Sequence, residues 1–261
     1  MKFDGNLVWK QATATMAANR DLVLALAGVF FFLPSFALIM LIKQPQVPPG
    51  GTPEQMMAAI EPFVAAMAPW FLVGSIVQAL GMTTVLDLFG NGDKSTVGQA
   101  LRRGLSALPY YIVVQLLLGM VMALIAVFAS ALGGIVSPIL GAVLAAYIVC
   151  QAYGRVITAG AMIVLEDLNP FAAIARSVKL SRGNGFRVGN FLFLLAIAAF
   201  FILMVLTLVT GILTALALGE GRPAELISGF VSSATSAVLM PYLVAVTVAI
   251  YRQFTGNSPQ P

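Results

Sequence analysis

The stretch GNFLFLLAIAAFFILMVLTLVTGILTALAL, residues 189–218, holds no charged residue, and its reading decides the fold class. A helix needs about 20 apolar residues to cross a hydrocarbon core ~30 Å thick, and this run is long enough. Its apolar character is continuous. A barrel strand would alternate between two faces, so the run is read as a helix. Five more runs of the same kind lie at 22–42, 69–89, 110–132, 137–165 and 227–251. Pro34 interrupts the first, and Gly133-Gly134 turns the chain after the third. The expectation is an all-α, polytopic membrane protein with six transmembrane helices in a single transmembrane domain, 1–261.

Composition agrees. Soluble domains are about 25% charged and 45–50% apolar. This chain of 261 residues is 9% charged and 60% hydrophobic, too few charges to cover the surface of a soluble globule. Asp4 and Asp21 flank the first run and no small-residue cleavage site closes it, so it reads as a retained anchor and not a secretory signal. Histidine is absent and Cys150 is the only cysteine. That excludes a disulfide framework and a CxxC metal pair, and leaves Cys150 as a small apolar residue. No metal, cofactor or catalytic group is expected.

Basic residues orient the spans. With six spans, one side carries Lys2, Lys10, Arg20, Lys94, Arg102, Arg103, Arg176, Lys179, Arg182, Arg187 and Arg252, and the other only Lys43 and Arg222. This asymmetry places both termini in the cytoplasm of a bacterial inner membrane. The opposite loops are mildly acidic, with Glu54, Glu61, Glu220 and Glu225.

Four amphipathic segments accompany the spans, at 6–19, 53–68, 96–107 and 170–181. In the third, Val97, Ala100, Leu101, Gly104, Leu105 and Leu108 fall on one helical stripe with Arg102 and Arg103 outside it. In the fourth, Asn169 caps a helix begun by Pro170, with Phe171, Ile174, Ala175 and Val178 on one face. The first is weaker, with Trp9 and Lys10 as interface anchors. These three each precede an apolar hairpin, which suggests a three-fold repeat of helix plus hairpin. The segment 53–68 reads differently: Thr52-Pro53-Glu54-Gln55 is a capping-box start, and Met56, Ile60, Phe63, Val64 and Met67 form a stripe. It is expected to lie on the outer face and bend at Pro62.

Three stretches carry a family resemblance: VLEDLNPFAAIARSVKLSRGNGFRV (164–188), YGRVITAGAMIVLE (153–166) and YLVAVTVAIYRQFTG (242–256). Together they resemble the membrane domain found beside glycerophosphoryl diester phosphodiesterases, and related uncharacterised bacterial inner-membrane proteins. The resemblance implies a membrane fold and location. In that family the phosphodiesterase chemistry belongs to a separate soluble barrel using acidic residues, histidines and a metal. This chain has no histidine and no such domain, so the resemblance does not bring the activity with it.

Arg155 is the sharpest site candidate. With the fourth helix leaving the membrane near Leu165, it sits ten residues in, roughly 15 Å at 1.5 Å per residue. A charge at that depth faces a cavity or a partner, and Asp87 near the end of span two is the expected carboxylate. The competing readings are a structural pair and a snorkelling side chain. Gln78, Gln115 and Gln151 complete a candidate polar site in the bundle, although buried amides more often simply join helices. Arg102, Arg103, Arg176, Lys179, Arg182 and Arg187 are candidate contacts for anionic lipid, at about 1 kcal/mol each near an anionic leaflet, or ordinary topology charges. Nucleic acid is disfavoured, since a net charge of +4 spread over a membrane domain makes no groove-tracking patch.

Three functions fit. The first is a non-enzymatic protein that binds or moves lipids or other amphipathic molecules. The second is a channel or transporter for a small polar solute with Arg155 as selectivity charge. The third is a structural accessory subunit of an envelope complex. Expected partners are membrane lipids, with a membrane-protein partner or a second copy of the chain left open.

Overall fold

The computed structural model describes residues 2–41, 52–92, 95–219 and 221–256. Lys43, Lys94 and Glu220, the end of the first run at Ile42, and the side chains of Glu54, Gln55 and Met56 lie outside the described residues. Within them the chain is helical and holds no strand. Five helices are long and apolar enough to cross a membrane: Arg20–Leu41, Ile60–Asn91, Val97–Gly134, Gly185–Leu218 and Arg222–Thr255. Pro138–Tyr153 is apolar but shorter.

Polar caps set the helix starts. The Asp4 carboxylate accepts from the Asn6 and Leu7 amides and begins α1, Gly5–Ala18. After α1 the chain runs on as α2 (Arg20–Ala27), a π-helical turn (Gly28–Phe32) and α3 (Leu33–Leu41). Pro34 explains the π turn. It has no amide hydrogen for the Phe30 carbonyl, and just before it the Leu33 amide bonds Gly28, five residues back. The widened turn packs Phe31 into the core at 2% exposure.

Next comes α4, Pro53–Asn91, a single helix through Pro62 and Pro69. The surface segment 53–68 is therefore not separate from the span that follows. A capping box of Thr96 and Gln99 starts α5, Val97–Gly134, which also runs unbroken through Pro109. The segment 96–107 and the span 110–132 are one element, so the second copy of the expected repeat has no short helix of its own. Ending a helix strands four carbonyls, whereas an internal proline strands one, so in apolar surroundings the helix continues.

The run 137–165 is the opposite case, for it breaks. Ser137 caps α6 (Pro138–Tyr153), residues 154–158 form a turn, and α7 (Ala159–Glu166) resumes. At the break α6 meets α9 (Gly185–Leu218) so closely that a Cβ on Gly154 would lie 2.7 Å from the Gly189 amide nitrogen. After α7, Asp167 takes a left-handed conformation (φ 53°), a region that Asp tolerates, and turns the chain. Asn169 then caps α8 (Pro170–Leu180) as its sequence indicated. The last helix is α10, Arg222–Thr255.

The long helices close a ring: α4 packs on α5, α5 on α6, α6 on α9, α9 on α10, and α10 back on α4. Into one end of it goes α7, against α4, α5 and α10, with Ala159, Ala161, Met162, Ile163 and Val164 all buried. The residues that precede α1 and the end of α10 meet at that end, where Phe3 donates its amide to Asn184 Oδ1 and Asp4 to Gln253 Oε1. The core fills this terminal half, with Val85 to Phe89, Tyr111, Val114 and Val244 to Ile250. Toward the other end the outward faces of α5, α6 and α9 stay exposed, as at Phe128, Ile139 and Leu216.

Close backbone approach at Gly154 yields a test. Gly154→Val forces α6 from α9, and thermal unfolding in detergent should show a loss of about 1–3 kcal/mol. Gly119→Ala, with nothing within 4 Å of the added carbon, should stay within about 0.5 kcal/mol of the parent.

Candidate functional site

Helix ends gather at the terminal end of the bundle, and charged groups meet them there. The Asp87 side chain on α4 is fully buried at 0% exposure. It accepts from Asn91 Nδ2 at 2.8 Å, one helical turn on, and from the Ser95 hydroxyl at 2.6 Å. Arg103 of α5 adds a charge at 3.4 Å, but 53% of its side chain is exposed. Water screens such a cation, so the two neutral donors do much of the holding. Next to this cluster Arg252 of α10 donates to the carbonyls of Phe89 and Gly90, near the C-terminal end of α4. A cation there satisfies stranded carbonyls and suits the helix dipole. The Glu166 carboxylate, ending α7, accepts from the Tyr251 hydroxyl at 2.8 Å and pairs with Arg176 at 2.7 Å.

Arg155 is not where a continuous fourth helix would put it. It lies in the break after α6, exposed, with its stem beside Gly185. The expected Arg155–Asp87 pair does not form, because the break carries Arg155 to the start of α9 while Arg103 takes the carboxylate. What Arg155 contributes is its backbone. Its carbonyl accepts from the hydroxyls of Ser177 (3.2 Å) and Ser181 (3.1 Å) on the α8 side.

The amides are scattered. Gln78 donates to the Ser35 hydroxyl at 3.3 Å and ties α4 to α3, and Gln151 donates to Asn190 Oδ1 at 2.6 Å and ties α6 to α9. Tyr147 donates to the same Asn190 oxygen at 3.3 Å. Gln115 instead lines a cavity. Of the basic candidates, Arg103 and Arg176 are committed to carboxylates, while Arg102, Lys179, Arg182 and Arg187 are exposed at the terminal end.

Among the hollows of the described structure, two adjoin each other at α10. One is a cavity of about 110 Å³ bordered by α4, α5, the 154–158 break, α9 and α10, with Tyr111, Gln115, Tyr153, Leu243 and Val246 in its wall. The other is a groove of about 460 Å³ between α9 and α10, open on the outer surface of the bundle. Leu195, Ala198, Ile202, Leu239 and Met240 make it almost wholly apolar. At its terminal-end rim Trp9 stacks on Tyr242, ring centroids 6.2 Å apart.

Sequence reasoning did not find Arg103 as the Asp87 partner, the Glu166–Tyr251–Arg176 group, or the tyrosine pair. The Thr96–Gln99 capping box was the available signal for the first. It starts α5 just after Asn91 and brings Arg103 back beside the end of α4. No family model matches the chain, and no curated protein or solved structure matches it.

A double-mutant cycle separates the two arginines. Asp87→Ala strands the Asn91 and Ser95 donors and should cost about 2–4 kcal/mol in thermal unfolding. Asp87 and Arg103 should couple by about 0.5–3 kcal/mol, while Asp87 and Arg155 should be additive. Strong coupling to Arg155 instead would contradict the geometry.

Proposed function

We propose that this chain is a non-enzymatic integral membrane protein that binds and moves lipids or other amphipathic molecules. The observation that carries this reading is the α9–α10 groove. It is apolar, long in the direction of the helices, and faces where acyl chains would lie. An aromatic pair at its rim is what an interfacial boundary favours, since Trp and Tyr combine an apolar body with a polar tip. The carboxylates Asp4, Asp87 and Glu166 are each engaged with donors at helix ends, which favours structural over chemical roles for them. Passage of a small polar solute is less well supported, as no charged side chain lines the cavity inside the ring.

The proposal includes a bacterial inner membrane, both termini in the cytoplasm, and a sixth span made jointly by α6 and α7. Alone, the 16 residues of α6 reach about 24 Å, short of a hydrocarbon core. Segregated charge supports the orientation: Arg102, Arg103, Arg176, Lys179, Arg182 and Arg187 lie at the terminal end, and Arg222 lies at the other. The exposed members of that set suit contact with anionic headgroups. The kinship with phosphodiesterase-associated membrane domains is part of the same proposal. It rests on the sequence stretches 153–166, 164–188 and 242–256.

Two measurements test this. Mass spectrometry of lipid retained through exhaustive detergent exchange should show a severalfold loss in Ala198→Trp and Leu239→Trp, which fill the groove. Equal retention in both variants would remove the groove as a lipid site. In a Cys150→Ala background, cysteines at Thr52 and Gly221 should label from outside spheroplasts, and those at Gly92 and Gly256 should not.

A further inference from the structure

The cavity inside the ring contains an unusual pairing. Tyr111 is 5% exposed and Tyr153 is half-buried, both line the same hollow, and neither hydroxyl bonds another described residue. Both hydroxyls keep accessible surface, so each remains available to a hydrogen-bonding guest. Gln115, an exposed residue, also contributes to the wall. Nothing charged does, since the rest of the wall is Met, Leu, Val, Ile, Gly and the hydroxyl of Thr247, which already donates to the Leu243 carbonyl. At about 10–15 Å³ per water, a hollow of about 110 Å³ has room for several waters or for one short polar head.

The wall of this cavity is also the wall of the groove. Leu243 and Val246 line both hollows, so the apolar groove and the cavity that holds Tyr111 and Tyr153 adjoin at these two side chains of α10. We propose that the cavity receives the uncharged, hydroxyl-bearing head of an acylglycerol whose chain lies in the α9–α10 groove, the molecule crossing from one to the other at Leu243 and Val246. The inference rests on the groove reading above and adds the class of head. Two phenols and one amide offer donors and acceptors for a glycerol ester, which carries hydroxyls and a carbonyl. A phosphate would enter with no cation to meet it, and an ionised group moved unpaired into such a site is strongly disfavoured.

The test compares two photoreactive probes in detergent micelles: a monoacylglycerol with a diazirine in its chain and a second near its ester, and the same molecule phosphorylated on its terminal hydroxyl. The uncharged probe should label groove peptides around 195–203 through its chain, and peptides around 153–160 through the diazirine near its head. Tyr111→Phe/Tyr153→Phe, which removes both oxygens and keeps both rings, should lower the head-end label about tenfold or more and leave the chain-end label in place. Leu243→Trp, which blocks the junction of the two hollows, should abolish the head-end label with the hydroxyls intact. The phosphorylated probe should give chain-end label alone. Equal head-end labelling by the two probes, or labelling indifferent to loss of both hydroxyls in a variant with parental thermal stability, overturns the inference while the groove stands. Absence of chain-end label from both probes overturns the groove reading and this inference together.

Discussion

A helix that stops inside an apolar bundle leaves carbonyls without donors, and how this chain supplies donors governs the rest of its architecture. At the break after α6 the Arg155 carbonyl accepts from Ser177 and Ser181, while Thr158 and Ser177 share a hydrogen bond of 2.8 Å. With Ser177 donating to the carbonyl, Thr158 donates to Ser177. These hydroxyls come from the end of α8, so the break is satisfied only when α8 folds back along α7. That return sets the start of α9 beside Arg155 and Asn184 beside the N-terminus. Lined by the clasp, α7 stays inside the ring.

Polar groups elsewhere obey the same constraint. Between lipid-exposed helices the hydrophobic effect gives little drive to associate, so close backbone contact and polar ties hold them. The close contacts are at Gly154 with Gly189 and at Gly133 with Gly141, where an added Cβ would lie under 3 Å from backbone. The ties concentrate where helices end: Asp87 with Asn91, Ser95 and Arg103, Arg252 on the last carbonyls of α4, and Glu166 with Tyr251 and Arg176. Each joins a different pair of elements, which makes the terminal half a fixed frame.

Toward the other end more apolar side chains stay exposed. Between α9 and α10 lies an apolar groove, and the ring keeps a small hollow that adjoins it at Leu243 and Val246. Arg102, Lys179, Arg182 and Arg187 line neither hollow and stay exposed.

Sequence alone determined the class: continuous apolar runs and scarce charge admit a helical membrane fold, because each run must satisfy its own backbone. It also determined local starts such as Asn169-Pro170, where the capping side chain and the amide it accepts from lie three residues apart. It did not determine which runs continue and which break. The boundaries expected between 53–68 and 69–89 and between 96–107 and 110–132 are not there, while 154–158, without a proline, is one. A break there depends on donors from Ser177 and Ser181, more than 20 positions away, and on Gly189 across the interface. The same displacement moved Arg155 out of the site expected for it and gave Asp87 to Arg103. Tyr111 and Tyr153 look like ordinary core aromatics in the sequence, and only the closing of five helices into a ring places both in the wall of one hollow.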